Sequence, residues 1–168
     1  GLPMISEIAR REAKRYGFSK TEQIRKAPKE RIRGYQEAVY TSQVFSESAL
    51  QKGFVSDRSV FDVVAYMEFY GLSPDDVGWV TDKARLHSKN YDLLIYCPIP
   101  KGGVVEDDGF RLTGQEGQEK IDELIKMLIN SAECPVLVLK KERETWGEEI
   151  DEVIRFLRRG KKKCRSKL

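Results

Sequence analysis

Residues 92–98 read DLLIYCP, which is the clearest β-strand pattern in the chain. Its near-continuous apolar run is typical of a central strand that is covered on both faces. Residues 135–139, PVLVL, form a second run of this kind. Between them, Thr113 and Glu116 have the spacing of a capping box, which predicts a helix that ends near Ser131. A strand, a helix and a strand in this order indicate a parallel sheet.

The same alternation continues toward the N-terminus. Short strands are predicted at residues 3–5 and 54–56, and the polar residues 19–27 are predicted to form a loop. Glycines or N-cap residues bound the intervening helices. These are predicted at residues 8–16, 28–51, 60–70 and 74–87. The apolar side of the long helix is expected to contain Ile32, Tyr35, Val39, Val44, Phe45 and Leu50.

Composition is that of one globular domain. The chain has 168 residues, of which 40% are hydrophobic and 34% charged. It has neither an apolar run long enough for a membrane span nor a secretion signal, so we expect a cytoplasmic protein with no membrane contact. The cysteines are far apart and there is one histidine, so no zinc site is expected. Cys97 and Cys134 are predicted to fill the core.

The C-terminal residues are strongly basic, although the formal net charge is only +3. A capping-box spacing at Thr145 predicts a last helix ending near Arg159. We therefore expect a domain over residues 1–159 and a basic tail over residues 160–168. Such a tail can make weak contacts to nucleic-acid phosphates, but a solvated end is the favoured interpretation. The oligomeric state is left open, a homodimer included.

One polar cluster lies in an otherwise apolar setting, Ser56-Asp57-Arg58-Ser59 followed by Asp62. Asp57 follows a predicted strand, at the sheet edge where ligands bind in open α/β folds. A carboxylate there can take a proton from a hydroxyl or hold a metal-bound water, and a guanidinium can bind phosphate. An Asp–Arg pair that caps the next helix, with Asp62 solvated, fits the spacing equally well.

Two further clusters are weaker candidates. Arg111 lies in the predicted glycine-bearing loop 99–112, which could close over a phosphate, although a surface turn is the favoured interpretation from the pattern alone. Glu7 and Arg10 lie where a strand becomes a helix, again at the expected ligand edge. The alternative is a first-turn acid beside a solvated basic face.

Residues 54–66, FVSDRSVFDVVAY, resemble the motif after the third strand of P-loop kinases of the deoxynucleoside kinase and nicotinamide riboside kinase type, including small AAA-like kinase domains. Residues 91–98 are similar to the fourth strand of that family. Residues 6–10 resemble the segment lining its acceptor pocket, and residues 108–111 its lid. The resemblance covers nearly the whole chain. It implies an α/β fold with three layers, a P-loop NTPase-like parallel sheet flanked by helices.

The resemblance implies an ATP-dependent phosphotransferase that uses Mg²⁺ and acts on a nucleoside, a nucleotide or a similar small acceptor. In this resemblance, Asp57 is the base or metal ligand. Arg58 and the lid residue Arg111 would contact phosphate. The long helix would flank the acceptor base with Gln36 and Gln43. The acceptor-binding residues would be Glu7, Arg10, Gln43 and Asp62.

One departure from the family is large, because no GxxxxGK[ST] motif occurs in the sequence. That loop supplies backbone N–H groups, a lysine and a metal-binding hydroxyl to the triphosphate. The family places its first strand between the third and fourth, and without it the sheet would be split. We therefore expect about thirty residues with this strand and loop before Gly1. The alternatives are a pseudokinase with a rearranged sheet, a non-catalytic or slowly hydrolysing nucleotide-binding module, and a nucleic-acid-binding protein.

Overall fold

The computed structural model describes residues 1–99, 115–140 and 145–165, with side chains of the last helix as far as residue 155. Helices alternate with short strands, as the sequence predicts. Single 3₁₀ turns, Ser88–Asn90 and Ile129–Ser131, follow the fifth and sixth helices. The elements are β1 (Met4–Ile5), α1 (Ile8–Arg15), α2 (Thr21–Lys26), α3 (Lys29–Ser48), β2 (Val55–Ser56), α4 (Val60–Phe69), α5 (Pro74–His87), β3 (Leu94–Tyr96), α6 (Gln115–Leu128), β4 (Val136–Val138) and α7 (Trp146–Arg165).

The strands form two parallel pairs. In one, β1 pairs with β2 so that Met4 lies opposite Val55; in the other, β3 pairs with β4 so that Ile95 lies opposite Leu137. No ladder joins β2 to β3 in the described part of the chain. The parallel arrangement is therefore confirmed, whereas these residues do not form the single sheet of a three-layer fold.

The residues that flank β2 and β3 nevertheless lie close together. The ring of Phe54, before β2, packs edge-on against Tyr91, before β3, with centroids 6.4 Å apart. Beyond the strands, partial loss of hydration and then the nearby Asp62 carboxylate raise the pKa of the Cys97 thiol. β2 and β3 each have one edge with no described strand partner. This division lies where the family resemblance places the first strand.

The core is built around α4. Its side chains are buried on most faces, including Phe61 and Val64, and the helix packs against α3, α5 and α6. Burying a side chain of this size contributes roughly 2–3 kcal/mol. Ser59 begins the helix: its Oγ accepts from the Phe61 N–H at 3.2 Å, and Asp62 Oδ2 accepts from the Ser59 N–H at 2.8 Å.

The prediction of a loop at residues 19–27 is wrong, because Thr21–Lys26 form α2. Gln23 Oε1 caps the start of this helix by accepting from the Ser19 N–H at 2.7 Å. The side chain of Ile24 is buried in the core. A single apolar residue in six leaves no periodicity that a sequence pattern can detect.

Several residues predicted to be buried are exposed. The Phe45 side chain is 74% exposed because it lies on the outer side of α3. Cys97 is also exposed and Cys134 is half-buried, so the prediction that both fill the core is wrong. Val138 of β4 is exposed, because no described element covers that side of the strand.

The last helix is longer than predicted. It continues to Arg165, so residues 160–165 of the expected basic tail are helical. At its start the Thr145 hydroxyl donates to Glu149 Oε1 at 2.6 Å, one residue beyond the predicted capping partner. Among the described helices, none has the length and apolar character needed to cross a membrane.

Candidate functional site

A cavity of about 150 Å³ opens at the carboxyl ends of β1 and β2, between α1, α3 and the start of α4. Its wall also contains the apolar residues Ile8, Val39 and Val63. Six of the seven site residues predicted from the sequence line this cavity, namely Glu7, Arg10, Gln43, Asp57, Arg58 and Asp62. The seventh, Arg111, lies outside the described residues.

Parallel pairing explains this convergence. β1 and β2 are neighbours that run in the same direction, so the chain leaves both at one edge of the sheet. Asp57 directly follows β2, and its backbone N–H donates to the Ile5 carbonyl of β1 at 3.2 Å. Glu7 lies two residues after Ile5. Two acidic residues that are fifty positions apart therefore face the same cavity.

Glu7 has a strained backbone. Its φ of 59° is left-handed, and it is the one non-glycine residue with positive φ in the described ranges. Such a conformation costs about 1–3 kcal/mol and tends to occur at functional sites. Glu7 precedes α1 without capping it through its side chain, and its Oε2 lies 2.9 Å from Nε of Arg10. An ion pair of the cavity wall is therefore found at this strained turn.

Asp57 is the acidic residue in the cavity wall that has no ion pair within the described part of the chain. Loss of hydration raises the pKa of its carboxyl. Arg58 opposes this shift, and the nearby Glu7 and Asp62 add to it. A carboxylate with a raised pKa takes up a proton more readily than an ordinary aspartate. Perturbed carboxylates in cavities are typical of functional sites.

Arg58 and Asp62 form an ion pair, with Nη1 and Oδ1 3.0 Å apart. The other oxygen of Asp62 accepts from the backbone N–H and the hydroxyl of Ser59, the N-cap of α4. The charge of Asp62 also raises the pKa of the Arg58 guanidinium. Both Asp62 oxygens therefore serve the cap and the ion pair, whereas the structural alternative had left Asp62 solvated. Its contact with an acceptor remains a prediction.

Two glutamines of α3 line the cavity, and each is 3% exposed. The two hydrogens on Gln43 Nε2 are shared among three acceptors, which are Glu47 Oε1 at 2.6 Å, Ser56 Oγ at 2.9 Å and the Arg58 carbonyl at 3.2 Å. Gln36 has no side-chain hydrogen bond within the described residues, where no fully buried polar side-chain atom lacks a partner. The Gln36 amide therefore keeps access to the cavity, since an unpaired buried amide would cost about 1–3 kcal/mol.

Aromatic residues contribute one wall. Tyr66 lines the cavity, and burial raises the pKa of its hydroxyl, so the ring is neutral. Tyr35, on α3, belongs to the core, where its hydroxyl donates to the Ala9 carbonyl at 3.2 Å. Sequence patterns could not separate these tyrosines because both occupy inward positions of helices.

A family model described as an AAA domain matches residues 1–147. The chain belongs to the AAA domain family. AAA domains are P-loop NTPase-like, so the match supports nucleotide binding in general and an α/β fold of that type. It does not single out a kinase subfamily. No curated protein and no solved structure matches the chain.

Magnesium and a nucleotide impose different demands on the residues of this AAA domain. In the described ranges no group of three or more metal-binding side chains exists. Magnesium at phosphates usually takes only one or two carboxylates, which Asp57 and Glu7 could provide. A triphosphate needs a loop with many N–H donors, and the sequence lacks the GxxxxGK[ST] motif. The described residues therefore form a polar cavity with two carboxylates that could hold a metal ion, and they do not supply the triphosphate-binding loop.

Proposed function

We propose that this AAA domain transfers the γ-phosphate of ATP, with Mg²⁺, to a hydroxyl group of a small acceptor bound in the cavity. One observation carries this proposal. Asp57 has a raised pKa and no ion pair with any described residue, and it faces the same cavity as the Gln36 amide, which has no partner among the described residues. The Asp57 carboxylate is suited to accepting a proton from a hydroxyl group, and the Gln36 amide is suited to the recognition of a polar ligand.

The roles of the protein side chains follow from their positions. Asp57 would accept the hydrogen bond of the acceptor hydroxyl and take its proton. Arg58 would contact phosphate with the guanidinium edge that Asp62 leaves free, since their pairing uses Nη1 alone. Glu7 and Arg10 would shape the acceptor pocket as a pair. Arg111 is proposed as a phosphate contact from the lid.

The charges of the cavity favour an acceptor without a phosphate. Its wall contains three carboxylates and two guanidinium groups, and the two ion pairs leave Asp57 as the uncompensated charge. An uncharged or cationic ligand is therefore favoured over an anionic one. Gln36 offers both a donor and an acceptor, the pattern that matches the edge of a nucleobase. We therefore place a nucleoside-like acceptor ahead of a nucleotide.

The test uses the natural full-length protein with radiolabelled ATP, nucleosides and nucleoside monophosphates. Label should appear on a nucleoside. Asp57→Asn should lower transfer at least ~100-fold while ATP still binds, because the proton acceptor is removed. Label on monophosphates alone would contradict the assigned acceptor class, and normal turnover by Asp57→Asn would refute the role of Asp57.

A second candidate function is a nucleotide-binding module that hydrolyses ATP slowly or not at all. It is favoured by the missing GxxxxGK[ST] motif and by the use of Asp62 and Arg58 at the start of α4. The same experiment separates the two, since free phosphate without a labelled acceptor, or no reaction, supports the module.

A further inference from the structure

A buried polar network lies beside the cavity and has no part in the proposed reaction. Its centre is Glu47 of α3, whose side chain is 2% exposed. Glu47 Oε2 lies 2.5 Å from Nε2 of His87, at the end of α5. Oε1 accepts from the Tyr91 hydroxyl at 3.1 Å and from Gln43 Nε2 at 2.6 Å. The carboxylate is thus fully satisfied by groups from three segments of the chain.

The network continues to the cavity through Gln43. Beyond Glu47, its amide nitrogen donates to Ser56 Oγ at 2.9 Å and to the Arg58 carbonyl at 3.2 Å. These acceptors lie one residue before and one residue after Asp57. A single side chain therefore holds both flanks of the carboxylate that we propose as the base.

Packing alone does not account for these side chains. A buried carboxylate is costly to desolvate, and apolar residues of similar volume usually serve stability as well or better. Glu47 and Gln43 occupy inward positions of α3, where the neighbouring inward positions are Ile32, Tyr35 and Val39. Their hydrogen bonds restrict position in a way that apolar contacts do not.

We propose that Gln43, held by Glu47 and through it by His87, is the positioning residue for the segment Ser56–Ser59 that carries Asp57 and Arg58. The inference rests on the proposed function only for the chemistry of Asp57, because the positioning itself is a property of the folded chain. It also changes the role of Gln43, whose amide hydrogens are used by the protein and not by an acceptor.

The test compares ¹H–¹⁵N spectra and amide hydrogen exchange in the wild type, Gln43→Met and Glu47→Gln. Gln36→Met is the matched control, with the same substitution two turns away on the same helix. In Gln43→Met we expect the Ser56–Ser59 signals to move and the Asp57 amide to exchange at least tenfold faster. Glu47→Gln should stay near the wild type, since its amide oxygen still accepts from Gln43.

Unchanged signals and exchange at Ser56–Ser59 in Gln43→Met would overturn the proposal. If that variant does not fold, Ser56→Ala serves instead, because it removes only one of the acceptors. It should give a smaller change in the signals and exchange of the same amides. No change in those amides would likewise count against the proposal. Where the wild type transfers phosphate, Gln43→Met should lower kcat about tenfold with KM nearly unchanged. If the wild type transfers none, the proposed function fails and the amide measurements alone decide the positioning role.

Discussion

The buried network around Glu47 and the cavity wall around Asp57 are both polar, but they differ in whether their polar groups have partners within the protein. In the network, both oxygens of the Glu47 carboxylate and the amide nitrogen of Gln43 have hydrogen-bond partners. In the wall, Gln36 has no described partner, Glu7 is strained and the pKa of Asp57 is raised. Gln36 and Gln43 are equally buried, so burial does not distinguish them. Their hydrogen-bond partners separate a residue that holds the protein from one available to a ligand.

The largest expected effect comes from a substitution that breaks the buried network around Glu47. His87→Leu leaves the Glu47 carboxylate buried without its imidazole partner, which should cost about 3–5 kcal/mol of unfolding free energy. Urea denaturation at neutral pH measures this. The control is Lys26→Leu, which breaks the exposed pair with Glu22 and should leave the free energy of unfolding nearly unchanged. Similar losses in the two variants would mean that the buried pair is no stronger than a surface pair.

The two glutamines sharpen the comparison directly. Gln43→Met removes the partner of Glu47, Ser56 and the Arg58 carbonyl, and should destabilise by about 1–3 kcal/mol. Gln36→Met removes an amide with no described partner, so its stability should be unchanged or slightly higher. Chemical denaturation of both variants gives the two values. Equal destabilisation would show that partners do not distinguish the two positions.

A third change relieves the strain in the cavity wall. Glu7→Gly accepts the left-handed φ without a Cβ clash and should stabilise the fold by up to about 1 kcal/mol. Loss of the exposed pair with Arg10 offsets little of this gain. Glu30→Gly, in the first turn of α3, is the control and should destabilise. Thermal denaturation decides, and a clear loss of stability in Glu7→Gly would argue against strain at this residue.

The smallest expected effect concerns Asp57. Because its folded pKa is raised, the ionised carboxylate costs stability at pH values above the ordinary aspartate pKa. Asp57→Asn removes that cost, so its Tm should exceed that of the wild type at pH 7. The difference should vanish below about pH 3, where the carboxyl is protonated in both states. A lower Tm for Asp57→Asn at pH 7 would contradict this environment for the carboxyl.

Much of the fold follows from local signals in the sequence. Ser73 caps α5 at its predicted start, and Gly17 and Gly71 adopt positive φ just beyond the ends of α1 and α4. The Asp57-Arg58 block ends a strand, and because neighbouring parallel strands share an edge, Glu7 meets it there. These outcomes depend on short-range rules of capping, turns and pairing, so the sequence by itself determined them.

Tertiary structure alone decided which polar side chains bond within the protein and which remain open to the cavity. Gln36 and Gln43 are both glutamines on one face of α3. They differ in their hydrogen bonds, because only Gln43 donates to Glu47, Ser56 and the Arg58 carbonyl. The separation of the sheet into two pairs and the exposure of Phe45 were likewise settled by distant neighbours. Such contacts join residues far apart in the chain, and no local pattern records which of them will meet.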